Sequence, residues 1–385
     1  MDPHPRDDAS LSRAFEFAGG ITLRNRIIMA PMTTYSADRD GTISEEELTF
    51  YRDRARGAGM LLSGCTHVTP NGVGFVEEFA AYDDRFLPSL RNLAAAMRSG
   101  GGAAVLQIFH AGSKGVPERI PDGIVVSSGE NPAPRGGQMC PVSRALESDE
   151  VDDIVRDFGQ TARRAIDAGF DGVELHGAHG FLLQDFLSPL TNRRTDRWGG
   201  TAERRSRFGA EAVREVRRLI DAHADRPFVL GYRITVEESA EGGLRLEDSL
   251  DFIDTLIESG IDYIHVSLKD VLTQTSVRVG HETLAERVRD RVAGRIPVIC
   301  AGGVLTPEQA RRVLDTGLSA AVVGRGLVMN AEWAELAVAG RDDRIHTTID
   351  MGRSADELGL PPGLCAAIEG RPGWFPLSHG DRVAS

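Results

Sequence analysis

Short runs of apolar residues recur along the chain, separated by stretches in which apolar positions repeat with helical spacing. The runs cover residues 27–31, 60–65, 103–109, 172–175, 228–233, 263–266, 296–301 and 320–323. Runs of this length, bounded by glycine, proline or polar residues, are typical of buried strands. Eight such strands alternating with helices predict an α/β fold, a (β/α)8 TIM barrel with a parallel sheet. A doubly wound sheet is the alternative, but its glycine fingerprint does not follow the first run.

The predicted helix starts support this alternation. Ser44 is followed three residues later by Glu47, the spacing of a capping box, and the helix should end near Arg56. Ser148 is predicted to cap a longer helix after the third strand. Thr306 precedes a proline and has a glutamine at the third helical position, a strong signal for a helix start.

Two segments fall outside the alternation. Residues 112–141 contain five prolines and six glycines, too many for a continuous helix or strand. A loop of this length is usually a lid or a binding insertion, and a disordered excursion is the alternative. Residues 360–376 are apolar enough to pack on the barrel or on a second subunit, which leaves a homo-oligomer open. We predict one barrel domain over residues 1–385, with its core at 15–340 and a C-terminal extension at 341–385.

Composition narrows the class of protein. The 44 Lys and Arg against 57 Asp and Glu give a net charge of −13, which argues against a nucleic-acid or anionic-membrane surface. No run of about 18 apolar residues is present, and residues 1–8 are polar without a signal-peptide core. The spacing of Cys65, Cys140, Cys300 and Cys365 fits neither a disulfide scaffold nor an iron–sulfur cluster. We therefore expect a cytoplasmic enzyme with a small-molecule substrate.

Two histidines, His176 and His179, stand where the fourth predicted strand ends. In a (β/α)8 barrel the carboxyl ends of the strands carry the chemistry. Two imidazoles aimed at one point could bind a carbonyl or nitro oxygen and stabilise charge that builds on it. A pair of hydrogen-bonded loop histidines is the alternative. A zinc site would need a clustered third ligand, so no metal is expected.

Glycines follow the last two predicted strands. Gly302 and Gly303 come after the seventh strand, and Gly324 and Arg325 after the eighth. In these barrels the same two loops commonly bind phosphate, because glycine lets backbone N–H groups approach an anion and arginine can pair with it in bidentate fashion. Ordinary turns are the alternative. The phosphate could belong to a substrate or to a cofactor.

Gln107 and Arg233 lie on or at the end of apolar strands, where a buried polar group must find a partner. A glutamine both donates and accepts, as a pyrimidine edge requires, and an arginine would stabilise a reduced flavin ring. The alternative for Arg233 is a salt bridge to Glu237 or Glu238. Lys269, after the sixth strand, could reach the active-site face, but it is expected to be a solvated surface lysine.

Several motifs together resemble one known family. They are residues 25–33, 106–112, 176–180, 186–189 with 192–200, 301–303 and 324–325. In order and spacing they resemble the old yellow enzyme family of FMN-dependent NAD(P)H:flavin oxidoreductases, in its bacterial branch without an iron–sulfur domain. The resemblance covers about residues 15–375. It implies that hydride passes from NADH or NADPH through FMN to an activated alkene.

The resemblance also implies a set of site residues. The implied cofactor-binding residues are Ala30, Pro31, Met32, Thr33, Cys65, Gln107, Arg233, Gly302, Gly303, Gly324 and Arg325. The implied substrate-binding residues are His176, His179, Tyr35 and Phe181, of which His176, His179 and Tyr35 would be catalytic. In this scheme Thr33 would lie near the flavin O4 and Gln107 and Arg233 at the pyrimidine edge.

One position departs from the family pattern. Phe181 stands where the family usually has a tyrosine that protonates the substrate carbon, and a phenylalanine cannot donate a proton. Either water or another residue such as Tyr35 supplies the proton, or the enzyme is a flavin-dependent desaturase or double-bond isomerase. A flavin-free barrel lyase or isomerase acting on a sugar phosphate is an alternative from another class.

Overall fold

The computed structural model describes residues 10–132, 134–135, 138–139, 141–278, 280–353 and 355–378. The polar residues 1–8 at the start of the sequence lie outside the described residues. So do Cys140 and the last seven residues of the predicted extension. Eight parallel strands close into a barrel, in which β4 pairs with both β3 and β5. The strands are β1 Ile27–Met29, β2 Met60–Leu62, β3 Ala103–Phe109, β4 Gly172–Gly177, β5 Val229–Ile234, β6 Tyr263–Ser267, β7 Val298–Ala301 and β8 Ala320–Val323. The predicted (β/α)8 barrel is confirmed.

Helices follow the strands and surround the barrel. The outer helices are α1 Glu45–Ala55, α2 Leu87–Arg98, α3 Ser148–Ala168, α4 Ala202–His223, α5 Leu246–Ser259, α6 Leu284–Val292 and α7 Pro307–Asp315. Shorter helices lie at Leu182–Leu187, Arg325–Met329, Trp333–Val338, Ala355–Leu358 and Pro362–Glu369. Outward strand residues such as Leu106, Val173 and Leu230 pack against the outer helices in one apolar layer. Within the described residues no helix is long and apolar enough to cross a membrane.

The predicted caps are correct in part. The Ser44 hydroxyl accepts the Glu47 backbone N–H at 3.3 Å, but the Glu47 carboxylate is buried and accepts the Thr34 hydroxyl rather than completing the box. Ser148 is the first helical residue and not the cap, which is Glu147. Its hydroxyl instead accepts the Trp198 indole N–H at 2.9 Å. The Thr306 capping box is present as predicted.

The lower interior of the barrel is apolar. It is filled by Ile28, Met60, Val105, Val229, Ile299 and Val322. A hairpin of Phe15–Ala18 and Ile21–Leu23, which the hydrophobic pattern did not reveal, covers this end. Its Phe17 packs on the Tyr263 ring, with centroids 5.2 Å apart. The sealed lower end leaves the carboxyl ends of the strands as the open mouth.

The described part of the insertion after β3 is anchored to the barrel. Asp185, buried in the short helix after β4, accepts the Ser113 N–H at 2.9 Å and the Ser127 hydroxyl at 2.6 Å. The short strands Val126–Ser127 and Arg144–Ala145 pair in parallel. The two bonds of Asp185 tie the described part of the insertion to the short helix after β4. They give no support to the alternative of a disordered excursion.

The C-terminal extension packs on the mouth of its own barrel. Arg371 donates to the Tyr35 hydroxyl at 2.7 Å, and Arg325 donates to the Trp374 carbonyl at 3.0 Å. Gly363 lies so close to Tyr35 that a β-carbon there would come within 1.8 Å of the Tyr35 carbonyl oxygen. Of the two predicted partners for this segment, the described residues therefore show the barrel.

Candidate active site

The two histidines meet at the end of β4. Ala178 donates its N–H to His176 Nδ1 at 3.3 Å, so a neutral His176 carries its proton on Nε2. His179 has a left-handed backbone, with φ of 63°, fixed by a bond from its N–H to the Thr235 hydroxyl at 3.1 Å. Its Nε2 lies 2.7 Å from the Ser267 hydroxyl. The two rings stand nearly perpendicular with centroids 5.0 Å apart, so β4 does bring the predicted pair together.

Both imidazoles are neutral at pH 7. Burial, followed by the charges of neighbouring groups, holds the pKa of His176 well below 6.5. His179 has exposed surface at the mouth, but its ring is desolvated where it packs against His176 and Phe181. That desolvation first, and then the charge of Arg233, also hold the pKa of His179 well below 6.5. Neutral imidazoles can donate a hydrogen bond to a substrate oxygen without already carrying a charge.

An aromatic wall adjoins the histidines. The Phe181 ring lies 5.0 Å from the rings of both His176 and Phe109. Phe75 contacts Phe181 at 5.8 Å and Tyr35 at 5.7 Å, so Tyr35 reaches the same wall. The sequence identified Phe181 and Tyr35 but not Phe109, which ends an apolar run and looks like an ordinary core residue, nor Phe75, which lies in a loop after β2.

An open cavity of about 270 Å³ lies at the mouth, beside the histidines. Predicted residues that line it are Ala30, Pro31, Met32, His179, Arg233, Gly302, Gly303, Gly324 and Arg325. Ser267, Leu268, Lys269 and Trp374 complete much of the lining. Lys269 is exposed, as expected, but it stands on the rim of this cavity. Predicted residues from five strand ends therefore line one cavity: those after strands one, four, five, seven and eight.

The glycine side of the cavity is shaped by backbone. Gly303 has a left-handed φ of +71°, and a β-carbon on Gly302 would lie 2.9 Å from the Val271 nitrogen. A side chain at either position would therefore strain or displace the loop. Arg325 opens the helix after β8 and stands beside Gly324. Glycine backbone and a guanidinium form a donor set that fits a phosphate group.

Arg233 is buried at the end of β5. One terminal nitrogen donates to Ser267 at 3.1 Å, while Nε has no hydrogen-bond partner among the residues that the structure describes. Glu237 binds Ser276 and Arg278, and Glu238 binds Gln184 and Ser188, so the predicted salt-bridge alternative is wrong. A buried guanidinium whose Nε lacks a hydrogen-bond partner among the described residues is suited to bind the polar edge of a ligand in the cavity.

Cys65 and Gln107 lie together beneath the mouth. The thiol contacts the Gln107 amide oxygen at 3.6 Å. Burial raises the pKa of the Cys65 thiol to about 12, against a smaller opposing contribution from Thr33. The thiol stays protonated, which makes it a weak donor and not a nucleophile.

Three polar residues of the barrel interior were not predicted as site residues. Glu174, Tyr263 and His265 are buried beneath Gln107 and Arg233, and the Glu174 carboxylate accepts a hydrogen bond from each of the other two. One signal was available in the sequence, since a glutamate inside an apolar strand must be buried and paired. Among the described residues no group of three or more His, Cys, Asp or Glu is placed to hold a metal ion.

Comparison with known proteins gives consistent matches. The profile of the NADH:flavin oxidoreductase / NADH oxidase family matches residues 15–344. The chain is 38% identical over 369 residues to the probable NADH-dependent flavin oxidoreductase YqiG of Bacillus subtilis (strain 168), covering 95% of this chain and 97% of that protein. It is 33% identical to the NADPH dehydrogenase of Geobacillus thermodenitrificans (strain NG80-2), covering 87% and 95%.

A solved structure shares the fold. The old yellow enzyme homologue from Zymomonas mobilis superposes with a TM-score of 0.78 at 24% identity, covering 96% of this chain and 100% of that chain.

Proposed function

The chain belongs to the NADH:flavin oxidoreductase / NADH oxidase family and is an FMN-dependent NAD(P)H oxidoreductase, and from this premise we propose that it reduces an electron-poor alkene. The resemblance to old yellow enzymes is confirmed, and the flavin-free lyase alternative is wrong. The observation that carries the proposal is the pair of neutral imidazoles, with rings 5.0 Å apart, opening on the same mouth as the glycine cradle.

The residues at the mouth would hold the cofactor in three groups. Backbone N–H groups around Gly303 and Gly324, with Arg325, take the phosphate. Arg233 and Gln107 would bind the pyrimidine edge. The absence of a hydrogen-bond partner for Arg233 Nε among the described residues supports a ligand at this position. Residues 30–33 lie along the ring. Bound FMN supplies the hydride that NADH or NADPH delivered.

His176 and His179 bind the oxygen that activates the alkene. His176 donates from Nε2, because its Nδ1 already accepts the Ala178 N–H. Two preorganised donors stabilise negative charge on that oxygen as hydride reaches the β-carbon. Phe181, Phe109 and Phe75 form an apolar wall that orients the substrate and excludes water.

Tyr35 supplies the proton to the α-carbon in place of the absent tyrosine at 181. Its hydroxyl oxygen accepts a hydrogen bond from Arg371 at 2.7 Å, and a phenol can act as a proton donor. Its ring touches Phe75 across from Phe181. If no proton reaches the α-carbon, the same site would serve a desaturase or double-bond isomerase, which Phe181 keeps as the second candidate.

Anaerobic stopped-flow spectroscopy tests the proposal. The protein is reduced with NADH or NADPH and then mixed with a panel of enones. We expect the flavin absorbance to return with formation of the saturated ketone. Turnover of the panel without NAD(P)H, and no reoxidation by any enone, would favour the isomerase instead.

A further inference from the structure

A carboxylate lies inside the barrel directly beneath the mouth. Glu174 is fully buried and accepts three hydrogen bonds: from the Gln107 amide at 2.7 Å, the Tyr263 hydroxyl at 3.1 Å and His265 Nδ1 at 3.0 Å. In the parallel sheet Glu174 is in register with Gln107 on one side and Gly231 on the other. The carboxylate therefore touches one of the two groups assigned to the flavin pyrimidine edge.

The barrel makes room for this network. Gly231 has no side chain, and the Tyr263 ring occupies the space, so a β-carbon at 231 would lie 2.1 Å from Tyr263 Cζ. Only with glycine at 231 can the Tyr263 hydroxyl reach Glu174. Tyr232, the next residue, faces the outer layer, and its hydroxyl has no hydrogen-bond partner in the described part of the chain.

The network carries one negative charge close to Arg233. Burial alone would raise the pKa of the Glu174 carboxyl, but His265, Arg233 and Gln107 outweigh it and hold that pKa below its usual value. Burial lowers the pKa of His265, so that ring is neutral and donates from Nδ1. The anion of Glu174 is thus stabilised by its hydrogen bonds with His265 and Gln107 and by the charge of Arg233, which stands two residues beyond its register partner Gly231 on the neighbouring strand.

The carboxylate also fixes the Gln107 amide. A carboxylate only accepts hydrogen bonds, so the amide nitrogen of Gln107 must face Glu174. The amide oxygen then points away from Glu174, towards the Cys65 thiol. An acceptor held in this way would select a ring N–H of the ligand over a ring carbonyl.

We propose that Glu174 is a positioning residue for the flavin, which orients the Gln107 oxygen and offsets the Arg233 charge so that the reduced ring is not over-stabilised. The proposal rests on the proposed placement of Gln107 and Arg233 at the pyrimidine edge. Two distinct effects follow from it: one on affinity for oxidised FMN and one on the ratio of reduced to oxidised flavin.

Glu174→Gln tests both effects in the FMN-loaded protein without any alkene. The variant leaves Arg233 without its counter-charge, so the equilibrium ratio of reduced to oxidised flavin should rise about tenfold, which is about 30 mV for a two-electron couple. Its amide nitrogen also competes with that of Gln107. The dissociation constant of oxidised FMN should therefore rise about tenfold, the worth of one hydrogen bond. Redox-dye equilibration and fluorescence titration measure the two quantities.

Tyr263→Phe, with Tyr232→Phe as matched control, keeps the test decisive if the first variant does not fold. Losing one hydrogen-bond donor leaves more negative charge on Glu174. The ratio of reduced to oxidised flavin should therefore fall about threefold, in the direction opposite to that of Glu174→Gln. Tyr232→Phe should match the wild type. The inference would be overturned if Glu174→Gln and Tyr263→Phe shifted the flavin ratio in the same direction. It would also be overturned if Tyr263→Phe and the control Tyr232→Phe had the same flavin ratio. If these shifts are observed but the protein does not reduce alkenes, only the proposed alkene acceptor is wrong and the role of Glu174 stands.

Discussion

The two sides of the barrel mouth are built differently. The histidine wall, defined by His176, His179, Phe181, Phe109 and Phe75, consists of side chains that contact one another ring to ring at 5.0–6.5 Å. The glycine wall, defined by Gly302, Gly303, Gly324 and Arg325, is mainly backbone with one charged side chain. One side-chain substitution in the histidine wall would change which ligand fits there. A substitution in the glycine wall would either preserve or abolish binding of its ligand group.

This difference suggests a division of labour. Backbone N–H groups recognise a phosphate whatever the surrounding side chains, which suits a cofactor that never varies. Packed rings and two donors present a shaped, mostly apolar surface, which suits a substrate that differs between relatives. Damage to one wall should therefore leave the function of the other wall intact.

Removing both histidines should produce the largest effect and should spare the glycine wall. We expect His176→Ala with His179→Ala to lower the rate of alkene reduction roughly 100- to 1000-fold, the cost of lost oxyanion donors. The protein should still bind FMN. Its charge-transfer band with a phenol, followed by visible spectroscopy, should disappear.

The matched control for this variant is His223→Ala, which removes an exposed imidazole at the end of α4. It should retain both the rate and the band. A phenol band that persists in the double variant would show that the histidines do not bind the activating group.

Arg325→Ala should produce the converse result. Loss of a charge-assisted bond to the phosphate costs about 2 kcal/mol, or roughly 30-fold in the FMN dissociation constant. Once the variant is saturated with FMN, its phenol band should match the wild type. Arg325→Lys keeps the charge and should recover part of the affinity. Equal FMN affinity in all three proteins would place the phosphate elsewhere.

The two walls also differed in how far they could be predicted. Glycines after consecutive strands are visible in the sequence because no other residue has their backbone freedom, and the structure places Gly302, Gly303 and Gly324 around one cavity. Of the phenylalanines in the histidine wall, only Phe181 was predicted from the sequence. Phe75 reaches it from a loop after β2, a long-range contact that local periodicity cannot reveal.

Other misses have the same origin. The eight strands followed from continuous apolar runs, but the N-terminal hairpin was not predicted because its strands are only four and three residues long and are interrupted by Glu16 and Thr22. Glu174 was placed on its strand without a partner. Its three donors come from β3 and β6, so only the closed barrel brings them together. A capped helix is a local event, whereas this network depends on the tertiary fold.

Phe181→Tyr sharpens the comparison within the histidine wall. A phenol at this position adds a proton donor, and we expect ordinary enone reduction to rise about tenfold, below the full range for general acid catalysis because in the proposed mechanism Tyr35 already donates. Phe75→Tyr adds a phenol to the neighbouring ring and serves as the control. An unchanged or lower rate for Phe181→Tyr would mean that protonation does not limit turnover.

The smallest effect on ligand binding at the mouth should come from the residue that anchors the insertion beside the histidine wall. Burial raises the pKa of the Asp185 carboxyl to about 6, against an ordinary value of 3.8. A carboxyl with a raised pKa stabilises the fold in its protonated form. That contribution is complete below the ordinary value and is lost as the pH rises through about 6.

Asp185→Asn removes this titration. Between pH 4.5 and 7.5 the wild type should lose about 2 kcal/mol more unfolding free energy than the variant, since each unit between the ordinary pKa of 3.8 and the raised pKa of about 6 corresponds to about 1.4 kcal/mol. Urea unfolding at the two pH values measures the difference. FMN affinity, which depends on the glycine wall, should respond to pH equally in both proteins. Parallel stability profiles would mean that Asp185 is not the titrating anchor, and a pH-dependent difference in FMN affinity would mean that the two walls are coupled.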